Sequence, residues 1–119
     1  KAEPARLSDL GFAYLQLGKL AAAESVLERA VELDPTHGGA WLNLGLALAR
    51  QRKLDEAIDA LRTATRLRPQ LPAAHNSLGG ALMMRGERAK ALAAFRRALE
   101  IDPDFKPARH NLERANARP

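Results

Sequence analysis

Apolar residues along this chain fall at helical spacings, and no stretch alternates as a strand would. Leu7, Leu10, Gly11 and Tyr14 stand at i, i+3, i+4 and i+7, which puts them on one face of a helix. The same face returns at Trp41, Leu44, Gly45 and Leu48, and again at His75, Leu78, Gly79 and Leu82. After each comes a short polar turn (Gly18-Lys19, Gln51-Arg52-Lys53 or Arg85-Gly86-Glu87) and then a second amphipathic stretch. Each second stretch stops at Asp34-Pro35, Arg68-Pro69 or Asp102-Pro103, because the residue before proline is pushed out of helical geometry. The pattern predicts helices near residues 4–17, 20–33, 37–50, 54–67, 71–84, 88–101 and 105–117.

The punctuation has a period. Glycine at Gly11, Gly45 and Gly79 and proline at Pro35, Pro69 and Pro103 each recur every 34 residues. A period of that size marks a helical repeat array, in which stacked helix pairs cover one another's apolar faces. Glycine within a helix costs about 1 kcal/mol relative to alanine, so three in register need a reason. The reading here is steric: the paired helix approaches closely, with Ala23, Ala57 and Ala91 as the small residues opposite.

The second stretches complete the pattern with Ala23, Leu27, Ala30 and Pro35, then Ala57, Leu61, Ala64 and Pro69, then Ala91, Phe95, Ala98 and Pro103. The whole resembles the tetratricopeptide repeat family, whose pattern is Trp-x2-Leu-Gly-x2-Tyr, then Ala-x3-Phe and a closing Pro. The chain departs from it at Leu7 and His75, where Trp is usual, and at Leu48 and Leu82, where Tyr is usual. The resemblance implies an all-α fold, a right-handed α-solenoid of antiparallel helix pairs with about seven helices. It places one domain over residues 1–119, with repeats at about 4–37, 38–71 and 72–105 and a last helix at 106–118. In that last segment Ala108, Leu112 and Ala115 form an apolar stripe, while Glu113 stands where the repeats have Gly and Asn116 where they have Tyr or Leu. A carboxylate there argues against a close partner helix, so the segment reads as a polar cap; a fourth repeat cut short is the other reading. A sequence without an initiator Met, starting inside the first helix signal, reads as part of a longer protein.

Composition narrows the function. Only 4% of residues are aromatic against 46% hydrophobic, so the core is built of Leu and Ala. Cysteine is absent, which excludes disulfides and thiolate chemistry. No apolar run reaches the length of a membrane span. The compartment stays open, the cytoplasm being the expectation. Net charge is +5, which raises nucleic acid as a partner. Residues 1–34 carry four basic and six acidic side chains, a balance of −2, so the remainder carries +7. Basic residues there mix with acids at helical spacing, as Asp55, Glu56 and Asp59 do near Arg52, Lys53 and Arg62. The aromatics hold framework positions and do not interleave with a basic stripe as a base-stacking platform would. Nucleic acid is therefore not the expected partner.

In the family the chain resembles, the first helix of each pair lines a concave groove that takes peptides. Carried over, the lining is Asp9, Phe12 and Gln16 from the first repeat, with Ala5, Ser8 and Leu15 beside them. The second repeat gives Leu42, Asn43, Leu46 and Arg50, with Ala49. The third gives Asn76, Ser77, Gly80, Met83 and Met84, and the last helix gives Asn111 with His110 and Arg114. Phe12, Leu15, Leu42, Leu46, Met83 and Met84 would form an apolar floor, though Leu15 and Leu42 also read as core residues between helices. Asp9, Asn43, Ser77 and Asn111 would form a polar ladder for a peptide backbone, though Asn43 could equally bond neighbouring side chains. The chaperone-adaptor subclass grips a peptide C-terminus at positions that match Ser8, Phe12, Asn43, Ala73 and Ser77 here; only Asn43 agrees, and no carboxylate clamp is expected.

Signals for catalysis are lacking. His37, His75 and His110 occupy different framework positions; His75 reads as packed and His37 as solvated in a turn. No HExxH, phosphate loop or nucleophile elbow occurs, and neither Gly38-Gly39 nor Gly79-Gly80 reads as a phosphate cradle. The expectation is a non-enzymatic scaffold without cofactor or metal, binding a peptide segment of another protein. Self-association into a homo-oligomer and electrostatic binding of nucleic acid or an anionic surface are the alternatives.

Overall fold

The computed structural model describes residues 2–117, which form seven α-helices and, among the described residues, no strand. They are α1 (Ala2–Gln16), α2 (Leu20–Leu33), α3 (Gly38–Arg50), α4 (Leu54–Leu67), α5 (Pro72–Met84), α6 (Arg88–Ile101) and α7 (Lys106–Ala117). Every boundary lies within two residues of the sequence expectation. The expected end of the last helix at residue 118 falls outside the described residues.

The turns explain the boundaries. Within each repeat the first helix closes through a left-handed residue at Gly18, Arg52 or Gly86, with φ of 74°, 65° and 90°. The following N–H groups of Lys19, Lys53 and Glu87 reach back to the carbonyls of Tyr14, Leu48 and Leu82 at 2.9 Å, which is the Schellman closure. Between repeats, the Asp34 carboxylate accepts from both the backbone N–H (3.0 Å) and the hydroxyl (2.7 Å) of Thr36, and Asp102 accepts from the Asp104 N–H at 3.0 Å. His37 is a correction to the sequence reading: it is half-buried at the start of α3, and its Nδ1 accepts the Ala40 N–H at 3.0 Å as the helix N-cap. Pro72 opens α5, where its missing N–H costs nothing.

One tether recurs between repeats. The Trp41 indole N–H donates to the Pro35 carbonyl at 2.8 Å, and His75 Nε2 lies 3.0 Å from the Pro69 carbonyl. A carbonyl can only accept, so His75 carries its proton on Nε2. The Arg109 guanidinium makes the same bond to the Pro103 carbonyl.

The three framework glycines sit where the helices of a pair come closest. A methyl group placed on Gly11, Gly45 or Gly79 would be driven into Leu27, Leu61 or Phe95 respectively. The approach is as close as expected, and the nearest side chains are the large ones one turn beyond Ala23, Ala57 and Ala91. Each glycine is thus a hole that receives a Leu or Phe. The alanines serve elsewhere: Ala23, Ala57 and Ala91 are fully buried, as are Ala30, Ala64 and Ala98 and also Ala40, Ala74 and Ala108.

Consecutive helices pack in order, and α1 touches α3, α3 touches α5 and α5 touches α7, whereas α2, α4 and α6 do not touch one another. First helices therefore crowd together on one side while second helices splay on the other. We call the layer of first helices the inner layer; the stack measures 44 × 26 × 22 Å. Its core forms two clusters, one around Leu27, Leu44 and Leu48, the other around Leu61, Leu82 and Phe95. Polar staples join the repeats: Glu24 on α2 accepts from Gln51 (2.8 Å) and Lys53 (3.0 Å) in the α3–α4 turn. Arg85 pairs with Asp55 at 3.0 Å, and Arg88 donates to the Ala115 carbonyl at 2.8 Å near the end of α7.

Candidate functional site

The inner layer of α1, α3, α5 and α7 carries the residues expected to line a groove. Phe12 and Met84 are exposed at 48% and 40%, large for side chains of that character. Asp9, Gln16 and Arg50 are also exposed. Leu42, Leu46 and Met83 are half-buried: Leu46 packs on the first core cluster, Leu42 and Met83 on the second. The apolar floor is narrower than expected, because Leu15 is 2% exposed and belongs to the first core cluster, as does Ala49. Arg50 also holds the structure together, its guanidinium donating to the Leu15 carbonyl at the end of α1 (3.3 Å).

The polar ladder is the second correction. Asn43 Nδ2 donates to Ser8 Oγ at 3.3 Å, and Asn111 Nδ2 donates to Asn76 Oδ1 at 2.9 Å. Both bonds join residues 35 apart, so the rungs cross between neighbouring repeats instead of pointing together at a ligand. The corresponding positions of the middle pair hold Leu42 and Ser77, whose side chains cannot form such a bond. Ser8 is buried by its rung, which leaves Asn43 and Asn111 mainly as inter-repeat links. Each amide still keeps its carbonyl oxygen as an acceptor.

At the far end of the inner layer a pocket of about 490 Å³ opens between α5, α6 and α7. Gly80, Met83, Met84, Asn111 and Arg114, expected from the sequence along a groove, line it together with Phe95, Ala115 and Ala117, which were not among the expected residues. Phe95 reads from the sequence as a framework residue, and most of its ring is indeed core. The signal that could have found the pocket is a column of the repeat: Phe12, Leu46, Gly80 and Arg114 stand at one position, and the side chain vanishes at Gly80. A methyl group there would meet nothing within 4 Å.

The electrostatics of this layer are simple. Of the five clamp-equivalent residues Ser8, Phe12, Asn43, Ala73 and Ser77, none carries a positive charge. Among the described residues no three His, Cys, Asp or Glu side chains converge as metal ligands would. None of the described helices is long and apolar enough to cross a membrane.

A family profile described as tetratricopeptide repeat matches residues 8–72, and a second with the same description matches 72–105. The first such domain of Spaghetti (RPAP3), solved bound to an HSP90 peptide, superposes with a TM-score of 0.91 at 22% identity, over 97% of this chain and 91% of that one. MamA superposes at 0.88 with 31% identity, over 95% of this chain and 66% of that one. YrrB, described as having an unusual peptide-binding site, superposes at 0.86 with 29% identity, over 93% of this chain and 57% of its own. No curated protein matches the sequence.

Proposed function

The chain belongs to the tetratricopeptide repeat family, and from that premise we propose that this interaction scaffold holds a segment of a partner protein along the inner side of its stack. The observation that carries the reading is the set of apolar side chains left accessible on the crowded inner layer: Phe12, Leu42, Leu46, Met83 and Met84. The first helices stand close together there, so these accessible side chains lie on one continuous surface long enough for an extended segment. The likeness to YrrB supports the reading, since a peptide site is described for that protein at 29% identity. The likeness to the RPAP3 domain, at 22%, speaks for the fold alone. A short segment buries little area, so the affinity is micromolar, about −8 kcal/mol.

No carboxylate clamp operates in this groove, because the matching positions offer no cation for charge-assisted bonds. An acidic chaperone tail should bind no better with a free C-terminal carboxylate than with an amidated one; a clear preference for the free acid would refute this. No catalytic step is assigned to the repeats. Two of the histidines have structural uses, His37 as a cap and His75 as a tether, and His110 is a surface residue.

The groove is tested by affinity capture with wild type and a Phe12→Ala, Leu46→Ala, Met84→Ala variant. Asn43 stays untouched because its bond to Ser8 links repeats. A protein held by wild type and lost from the folded variant is the expected result; equal capture by both would remove the site from the inner layer. A second reading, self-association, is favoured by Leu10 and Leu17, exposed at 42% and 69% along α1 and its closing turn.

A further inference from the structure

We propose that the pocket between α5, α6 and α7 is the specificity element of the groove: it takes one bulky apolar side chain of the bound peptide, with an adjacent acidic residue held by Arg114. The inference rests on the groove reading and sharpens it. Two adjacent glycines in α5 have opposite surroundings. Gly79 is required by packing, since a Cβ there would lie 2.5 Å from the Phe95 ring. Gly80 has no such requirement, because a Cβ there would meet nothing within 4 Å. Glycine in mid-helix weakens the helix, and here its effect is to leave space where the same column holds Phe12 and Leu46 in the earlier repeats.

The space is chemically matched to an apolar side chain beside a negative charge. Its walls are Met83 and Met84, unbranched thioethers that adapt to varied shapes, and part of the Phe95 ring reaches its lining. A cavity of about 150 Å³ already accommodates benzene, so about 490 Å³ admits an aromatic or long aliphatic side chain with its flanking backbone. The polar groups lie together on α7. Asn111 donates its amide to Asn76, which leaves Oδ1 to accept a peptide N–H. Arg114 is exposed, lines the pocket and takes part in none of the ion pairs among the described residues. The end of α7 is tied by the Arg88 bond to the Ala115 carbonyl. Residues 72–117 carry eight basic and five acidic side chains, and this balance of +3 favours an acidic segment at this end of the stack.

Phage-displayed random peptides panned on the wild-type chain test this. Selected sequences should share a Phe, Leu, Met, Ile or Trp next to Asp or Glu. A synthetic representative should bind Gly80→Leu, whose added side chain fills the pocket, roughly 10- to 100-fold more weakly than wild type. It should bind Arg114→Gln roughly 3- to 10-fold more weakly, with a flatter salt dependence. Gly80→Leu should melt no lower than wild type; should it melt lower, Met83→Ala supplies the same comparison from the pocket wall. Selected peptides without a common bulky apolar position, or equal binding to the filled-pocket variant, would overturn the proposal. If such peptides are still lost from a Phe12→Ala, Leu46→Ala variant, whose two sites lie outside the pocket lining, the groove stands and only the pocket falls. If no peptide is enriched, or none responds to any variant, both readings fall.

Discussion

Trp41, His75 and Arg109 share nothing but an N–H at the right reach, and all three tie an inter-repeat turn by bonding a proline carbonyl six residues back. His75 therefore replaces the usual Trp in its hydrogen bond while giving up packing volume. His75→Leu should cost about 1 kcal/mol through the lost bond, and His75→Trp should not; thermal melts of the two variants decide it. The position of His75 in the repeat is legible in the sequence, but the tether is not, because its acceptor is a backbone carbonyl that every residue carries. Arg52 offers the reverse case. It holds the left-handed conformation that Gly18 and Gly86 take in the other repeats. A non-glycine residue there is strained by about 1–2 kcal/mol, of which part is returned by glycine's larger entropy loss on folding. Arg52→Gly should raise stability by about 0.5–1 kcal/mol, and an unchanged or lower denaturation midpoint would contradict the assignment.

Helix pairs are set by what each glycine faces, and Gly79 and Gly80 make the contrast internal to one element. Gly79→Ala should destabilise by about 1–3 kcal/mol through overpacking against Phe95. Gly80→Ala should stabilise by up to about 1 kcal/mol, since the methyl meets open space and only helix propensity changes. Similar midpoints for the two variants would refute both assignments. The sequence makes every helix legible here, because periodicity, glycine and proline agree at each boundary. It does not show which side chain fills the glycine hole, since Ala23 and Leu27 lie on the same face one turn apart and only the relative height of the two helices separates them. The polar ladder misled for a related reason: residues 34 apart share a position, whereas the stack brings into contact residues 35 apart, such as Ser8 and Asn43. At this scale too lies the staple of Glu24. Burial works to raise its pKa, but the bonds from Lys53 and Gln51 outweigh that and leave it below the usual value of 4.5. A depressed carboxyl adds stability above its unfolded pKa and loses it as pH falls through the folded value. Glu28, raised by burial and by Glu24, has the opposite sign and offsets part of the loss. Glu24→Gln should thus flatten the fall of stability below about pH 4.5, which melts across the acid range would reveal.

Seen whole, the first and last described helices of the stack present unlike faces. Leu44 is 5% exposed in α3, which packs on α2, while Leu10 at the same position in α1 is 42% exposed. Leu17 adds to that face, where the later repeats carry Gln51 and Arg85. The outer side of α7 is instead polar, with Lys106, Arg109, Glu113 and Asn116 exposed. Head-to-tail stacking would set leucines against these charges and strip them of water, a cost without a matching gain. Of the end-to-end contacts, only α1 against α1 buries apolar surface on apolar surface, and that contact is self-complementary and closed by two-fold symmetry. End-to-end self-association of this chain should therefore stop at a dimer. Sedimentation across a wide concentration range should show no species larger than two copies, and Leu10→Glu with Leu17→Glu should leave only monomer. The same double variant should keep its peptide affinity, because α1's outer face and the pocket lie at opposite ends of the array. Growth to larger species would mean that α7 joins α1 after all, and loss of peptide binding with the dimer would mean that the groove is completed by a second copy.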